Sequence, residues 1–154
     1  MDPLIGAHLL SLGLWGGLVF GEIVFEFQMF RGRLDQLDVA DLHRITDRFL
    51  ELPILALVMA TGWMLWQRSG YPDELLTKVL FGLGAVLANV ICYIIVELRA
   101  ATATRIRLEK QTGETYPNTN KLRVFSTALA VTIVLGLISA AVALFIGGLS
   151  IGWW

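Results

Sequence analysis

Several side chains able to carry a charge or donate a lone pair stand inside apolar stretches of this sequence. His8, Leu12, Trp15, Val19, Glu22 and Glu26 follow one another at intervals of four and three residues, the spacing of a single helical face. Arg44, Arg48, Glu51, Leu55 and Gly62 form a second such series. Lys78, Gly82, Ala85, Asn89, Cys92 and Val96 form a third. Ionisable groups in apolar helices are costly to insert and mark ion paths, proton relays or ligand sites. Three kinds of chemistry are therefore open. Glu22, Glu26 and Glu51 could pass protons or ions. His8 could ligate a metal. The set Glu22, Glu26, Arg44, Arg48 and Glu51 could instead be a structural charge cluster, with either glutamate of the first helix pairing Arg44 or Arg48.

The elements that must hold these residues are membrane helices. Of 154 residues, 56% are hydrophobic and 16% charged, against about 25% charge in an ordinary soluble domain, and the mean hydropathy is +0.68. Four apolar runs reach the roughly 20 residues that a crossing requires: about Leu4–Phe30, Leu42–Trp66, Leu75–Val96 and Leu122–Ile146. Asp35, Asp38 and Asp41 offer N-caps before the second. Ser69-Gly70-Tyr71-Pro72-Asp73 reads as a turn. The polar stretch from Arg99 to Asn120, with its TGETYPNTN sequence, reads as a connector, and Gly147-Gly148 as the end of the last helix. The first run has an acidic Asp2 and no basic residues ahead of it, so it reads as a span, not a cleaved leader. The expected architecture is one all-α integral membrane domain over residues 1–154, an antiparallel four-helix transmembrane bundle. Gly13, Gly16, Gly17, Gly82, Gly84 and Ala85 are candidates for close helix contact.

Composition also excludes. A net charge of −1 gives no field for nucleic acid. A single cysteine, Cys92, permits no intrachain disulfide and no cysteine-based metal site; it reads as a small buried residue. Asn89 reads as an interhelical hydrogen bonder and Lys78 as a lysine at the membrane boundary. His43 stands among charges at the inner end of the second span and reads as a solvated boundary residue. His8 and His43 fall at opposite membrane faces, so they cannot share one haem iron. A haem on His8 would need a weak sixth ligand, a methionine such as Met64, or His8 of a second copy.

Taken together, His8 and Trp15 in HLLSLGLWGGL, Arg48 before a helix ending in TGWML, Lys78 in KVLFGLGAVL and Arg123 at the start of the fourth span resemble the HemJ-type protoporphyrinogen oxidases and the related CopD-like four-helix membrane domains. The resemblance implies haem b held by His8, with Lys78 near a propionate and Trp15 on the same face, and a redox or electron-transfer role. Two features depart from the pattern: Glu22 and Glu26 stand where a basic residue is usual, and Arg123-Val124-Phe125-Ser126 replaces the usual start of the last helix. HRITDRFLELP, from His43 to Pro53, also resembles the second-helix segment of the MAPEG membrane transferases, although Arg48 stands where an asparagine is expected. Beside these readings are a non-catalytic accessory subunit of a larger membrane complex, a homo-oligomer, and a transporter using Glu22, Glu26 and Glu51. In every case the lipid bilayer is the partner that the sequence requires.

Ten of the twelve basic residues fall in the first and third connections, leaving Arg68 and Lys78 in the second. The positive-inside rule then puts both termini on the non-cytoplasmic side, consistent with a multi-pass protein of a bacterial inner membrane. Trp63, Trp66, Tyr71, Trp153 and Trp154 would form an aromatic belt there. A cysteine introduced between Arg105 and Asn120 is expected to resist a membrane-impermeant thiol reagent in intact cells. Ready labelling would reverse the orientation.

Overall fold

Helix dominates because the chain offers long apolar runs with few breakers, and a backbone in lipid must satisfy its own hydrogen bonds. The computed structural model describes residues 2–70, 73–112 and 120–150, and gives no account of the side chains of Glu74, Leu149 and Ser150. Helix α1 covers Pro3–Phe30. Helix α2 covers Gln36–Thr46 and passes through a π-helical segment, Asp47–Glu51, straight into α3, Leu52–Arg68. A short 3₁₀ turn, Asp73–Leu75, leads into α4, Leu76–Thr112, and α5 covers Asn120–Ser150. Four helical stretches are long and apolar enough to cross a membrane: Pro3–Phe30, Gln36–Arg68, Leu76–Thr112 and Asn120–Gly148. Large apolar side chains cover the outside, including Phe20, Phe27, Leu83, Leu87, Val131 and Leu135, as a lipid-facing surface requires.

The helix ends follow local chemistry. Asp2 accepts from the Leu4 amide at 2.9 Å and Pro3 opens α1, the residue whose missing N–H costs nothing at that position. Asp35 caps α2 by accepting from the Leu37 amide at 2.7 Å. Asp38 and Asp41, also expected as caps, instead receive hydrogen bonds from Arg107 on α4. Gly32 (φ +71°) and Gly70 (φ +78°) follow the ends of α1 and α3 in the left-handed conformation that glycine tolerates.

Two expected boundaries move. The third helix runs on for sixteen residues past Val96, to Thr112. Its 37 residues span about 55 Å, well beyond a hydrocarbon core of about 30 Å. The extension is rich in alanine, arginine and leucine, all strong helix formers. It also has a packing partner: Ala103 and Ile106 bury against Leu37 and Ala40 of α2 and Leu122 of α5. The fourth helix continues through Gly147-Gly148 to Ser150. Residues 113–119 of the expected connector, Tyr71 and Pro72 of the expected turn, and Trp153 and Trp154 of the expected belt lie outside the described residues. Of that belt, Trp63 and Trp66 stack edge to face, 5.4 Å between centroids.

Contacts pair the helices in an ordered ladder. Between α1 and α3, Asp2 meets Arg68 (2.7 Å), His8 meets Thr61 (2.9 Å) and Trp15 meets Glu51 (2.9 Å). Between α4 and α5, Lys78 lies against Gly147, Gly84 against Ser139 and Ala88 against Gly136. Of the expected small-residue contacts, Gly84 and Ala85 meet neighbours or are buried, whereas Gly13, Gly16, Gly17 and Gly82 have open space where a Cβ would stand. Ala40, Ala100 and Ala103 have no exposure at all. Enlarging such a position overpacks it, at about 1–3 kcal/mol, so Ala40→Leu should lower the unfolding temperature in detergent while Ile45→Leu, on the exposed face of α2, should not.

Candidate functional site

The π segment decides which side chains reach the interior. In a regular helix four residues overshoot the 3.6-residue turn, so an i, i+4 series drifts around the axis. The wider π turn takes up that overshoot. His43, Asp47, Glu51 and Leu55 consequently stay in line, all buried at 1%, 3%, 4% and 5% exposure. The series expected from α-helical spacing, Arg44, Arg48 and Glu51, is split. Arg44 and Arg48 turn outward and pair with Glu97 of α4, at 3.1 and 2.8 Å. The pairing expected between these arginines and Glu22 or Glu26 is therefore not made. Glu97 sits on the same side of the bundle, and the two arginines keep their heads near solvent there.

Inside, two connected polar groups form. In the first, Arg99 of α4, with no exposure, donates through one guanidinium nitrogen to Glu26 Oε1 and places another 3.1 Å from Met29 Sδ. His43 Nδ1 lies 3.2 Å from the same Glu26 oxygen. In the second, Glu22, Asp47 and Glu51 bring one carboxylate oxygen each to within 4.8 Å of one another. Glu51 Oε1 accepts from Trp15 Nε1–H and Asn89 Nδ2–H, which fixes its orientation. Glu22 Oε1 has no hydrogen-bond partner, nor have Glu26 Oε2, Arg99 Nε and His43 Nε2. The two groups meet where His43 Nε2 faces Glu22 Oε2 at 3.9 Å.

The carboxylates open onto a cavity of about 20 Å³ walled by Trp15, Val19, Ala85, Asn89, Cys92 and Ile133 among others. About 10–15 Å³ suffices for one water, so the space suits one small guest. Three close carboxylates cannot all be charged in an apolar interior without a compensating cation or shared protons. Among the described residues no lysine or arginine pairs with Glu22, Asp47 or Glu51. What this arrangement can do is hold a positive guest.

At the other end of α1, about 21 Å from Glu22 along the helix axis, His8 forms a separate feature. Thr61 donates its hydroxyl to the Leu57 carbonyl at 2.6 Å, so it accepts from His8 Nδ1–H at 2.9 Å, and His8 Nε2 keeps its lone pair. The ring lies against Gly62, where a Cβ would come within 3.1 Å of it. Lys78 is within electrostatic reach of His8, and lies across Gly147. The nitrogen chemistry suits a haem ligand, and two cavities lie elsewhere in the bundle. The enclosed cavity is far below the several hundred Å³ of a cofactor pocket and does not include His8. An open recess of about 590 Å³ has the volume, and Met64 in its wall, yet its lining of Leu4, Met64, Gln67 and Arg68 omits His8 too.

Sequence reasoning named Glu22, Glu26, Glu51, Trp15 and Asn89, which the structure brings together. Cys92 is buried as expected. It missed Asp47, buried His43 and Arg99. Arg99 had a visible signal: the series Asn89, Cys92, Val96 continues by three and four to Arg99, Ala103 and Ile106, all buried. Comparison with known proteins adds no name: no family model, no curated protein and no solved structure matches this chain.

Stranding one half of a buried ion pair costs about 3–5 kcal/mol. Arg99→Ala should therefore lower thermal stability in detergent strongly, and Glu26→Gln added to it should restore part of the loss, giving a large coupling in a double-mutant cycle. Additive effects would show that the pair is not coupled.

Proposed function

We propose that this chain is a membrane cation carrier, a four-crossing antiparallel bundle of a bacterial inner membrane with both termini on the non-cytoplasmic side, which takes a small cation into the Glu22–Asp47–Glu51 cluster. The observation that carries the reading is the buried triad itself: three carboxylates around a small cavity, one oxygen of Glu22 without a partner. A structural cluster would have been closed by the arginines available. Here Arg99 goes to Glu26, Arg44 and Arg48 go to Glu97, and Arg107 goes to Asp38 and Asp41. Ion pairs satisfy the neighbourhood and leave the triad open.

The orientation follows from the basic residues of the first and third connections. The ladder of contacts from Asp2–Arg68 to Trp15–Glu51 supports α1 and α3 running in opposite directions. Asn89 and Trp15 hold Glu51 in place for the guest. The haem-binding redox reading is the second choice; it keeps the His8–Thr61 geometry in its favour and has the cavity volumes against it.

Two measurements test this. Vesicles containing the purified chain should pass a cation faster than empty vesicles when screened with protons, sodium, potassium and divalent ions, and Glu22→Gln or Asp47→Asn should remove at least nine-tenths of that flux. Vesicles no leakier than empty ones would leave the accessory-subunit reading in its place. The purified chain should also show no Soret absorption. A Soret band abolished by His8→Ala and retained in His43→Ala would instead establish the haem reading.

A further inference from the structure

We infer that the guest is a divalent transition-metal ion, bound by Glu22, Asp47 and Glu51 with His43 Nε2 as a nitrogen donor at the edge of the site. This rests on the reading of the triad as a cation site and narrows it to one class of ion. The argument begins with His43, which is 1% exposed and whose Nε2 has no partner. Its other nitrogen, Nδ1, lies 3.2 Å from Glu26 Oε1. Arg99 Nη1 also lies 3.5 Å from Nδ1, but Glu26 is nearer and is held as a carboxylate by that guanidinium, so we place the imidazole proton on Nδ1. Nε2 is then a lone pair.

That lone pair faces Glu22 Oε2 at 3.9 Å. The two atoms face each other across a gap too long for a hydrogen bond. An ion about 2.0–2.2 Å from nitrogen and oxygen bridges such a gap. The second carboxylate oxygen of Glu22 is likewise without a partner, and Glu22, Asp47 and Glu51 each place one oxygen within 4.8 Å of the others. The outer arrangement is also that of a metal site. A ligating histidine usually turns its remaining nitrogen to a carboxylate, and His43 Nδ1 lies 3.2 Å from Glu26 Oε1. A ligating carboxylate is usually hydrogen-bonded in turn, as Glu51 is by Trp15 and Asn89.

The donor set selects the class. Carboxylate oxygens alone suit magnesium, calcium or manganese, and imidazole moves the preference toward zinc, iron, cobalt or nickel. Cys92 lines the cavity but, among the described residues, is not one of the clustered donors, so a soft ion such as copper(I) is not what this site favours. An alkali ion gains nothing from the imidazole.

The test uses the full chain in detergent, stripped with a chelator and then dialysed against cobalt(II), with manganese(II) in a parallel sample. Wild type should retain about one ion per chain and show visible cobalt d–d absorption. Glu22→Gln and Asp47→Asn should each weaken retention at least tenfold, His43→Gln should change the cobalt spectrum, and Glu109→Gln, on the exposed end of α4, should match wild type. Circular dichroism and gel filtration select the variants that fold. Wild type that retains neither ion overturns the inference, as does equal retention in folded Glu22→Gln and Asp47→Asn. Flux of protons or alkali ions without metal retention would end this inference and leave the carrier reading standing. Metal retention without any flux would do the reverse.

Discussion

Arg99 sets the terms for the half of the bundle that holds Glu22, Glu26 and His43. Its guanidinium has no solvent exposure and cannot shed its proton in a protein. An isolated charge of that kind costs several kcal/mol to bury, so an anion has to be supplied. Glu26 supplies it. That choice has consequences for every neighbour. Glu26 Oε1 in turn has His43 Nδ1 3.2 Å away. With Arg99 committed to Glu26, no internal guanidinium is left to neutralise Glu22, Asp47 and Glu51.

The backbone is shaped to the same end. A regular helix from Gln36 to Arg68 would bring Arg44, Arg48 and Glu51 to one face, and the glutamate would be met by two cations. The π turn at Asp47–Glu51 replaces those arginines with His43 and Asp47. It exchanges two positive side chains for one acid and one imidazole. Wide turns of this kind recur at functional sites, and here the effect is a buried cluster of three carboxyl groups with which no arginine or lysine among the described residues pairs. Glu97 holds the displaced arginines outside.

The legible part of the structure is the part governed by composition and regular period. Four apolar runs gave four long helices, and the face through Trp15, Glu22 and Glu26 is buried where the spacing put it. Helix α4 was cut short in the reading because Arg99 and Arg107 look like the start of a loop. Only the packing of Ala103 and Ile106 on α2 shows that the helix outlasts its apolar stretch. His43 and Asp47 were hidden for a different reason. Their face exists only if the helix leaves the 3.6-residue period, and no residue between Thr46 and Leu52 announces that in a single sequence. His43 among charges is indistinguishable from a solvated histidine until α4 is laid over it.

The surroundings of the triad also bear on its selectivity. Trp15, Val19 and Leu55 form a buried apolar cluster on the side toward His8, backed by Leu12, Ile54 and Leu137. Cys92, Val96 and Leu129 form another beside it. Apolar walls of this kind lower the local dielectric, so a charge in the cavity interacts more strongly with the carboxylates than it would in water. The same walls penalise a hydrated ion, which has to exchange its waters for protein oxygens. A site with three carboxylates and a cavity of about 20 Å³ can offer that exchange to one compact ion and has no room for a hydration shell. Trp15 joins the two effects in one side chain: its ring closes the apolar wall and its N–H fixes the oxygen of Glu51. In the proposed cation site, the face of α1 that carries Trp15, Val19 and Glu22 would thus supply both apolar wall and polar contact.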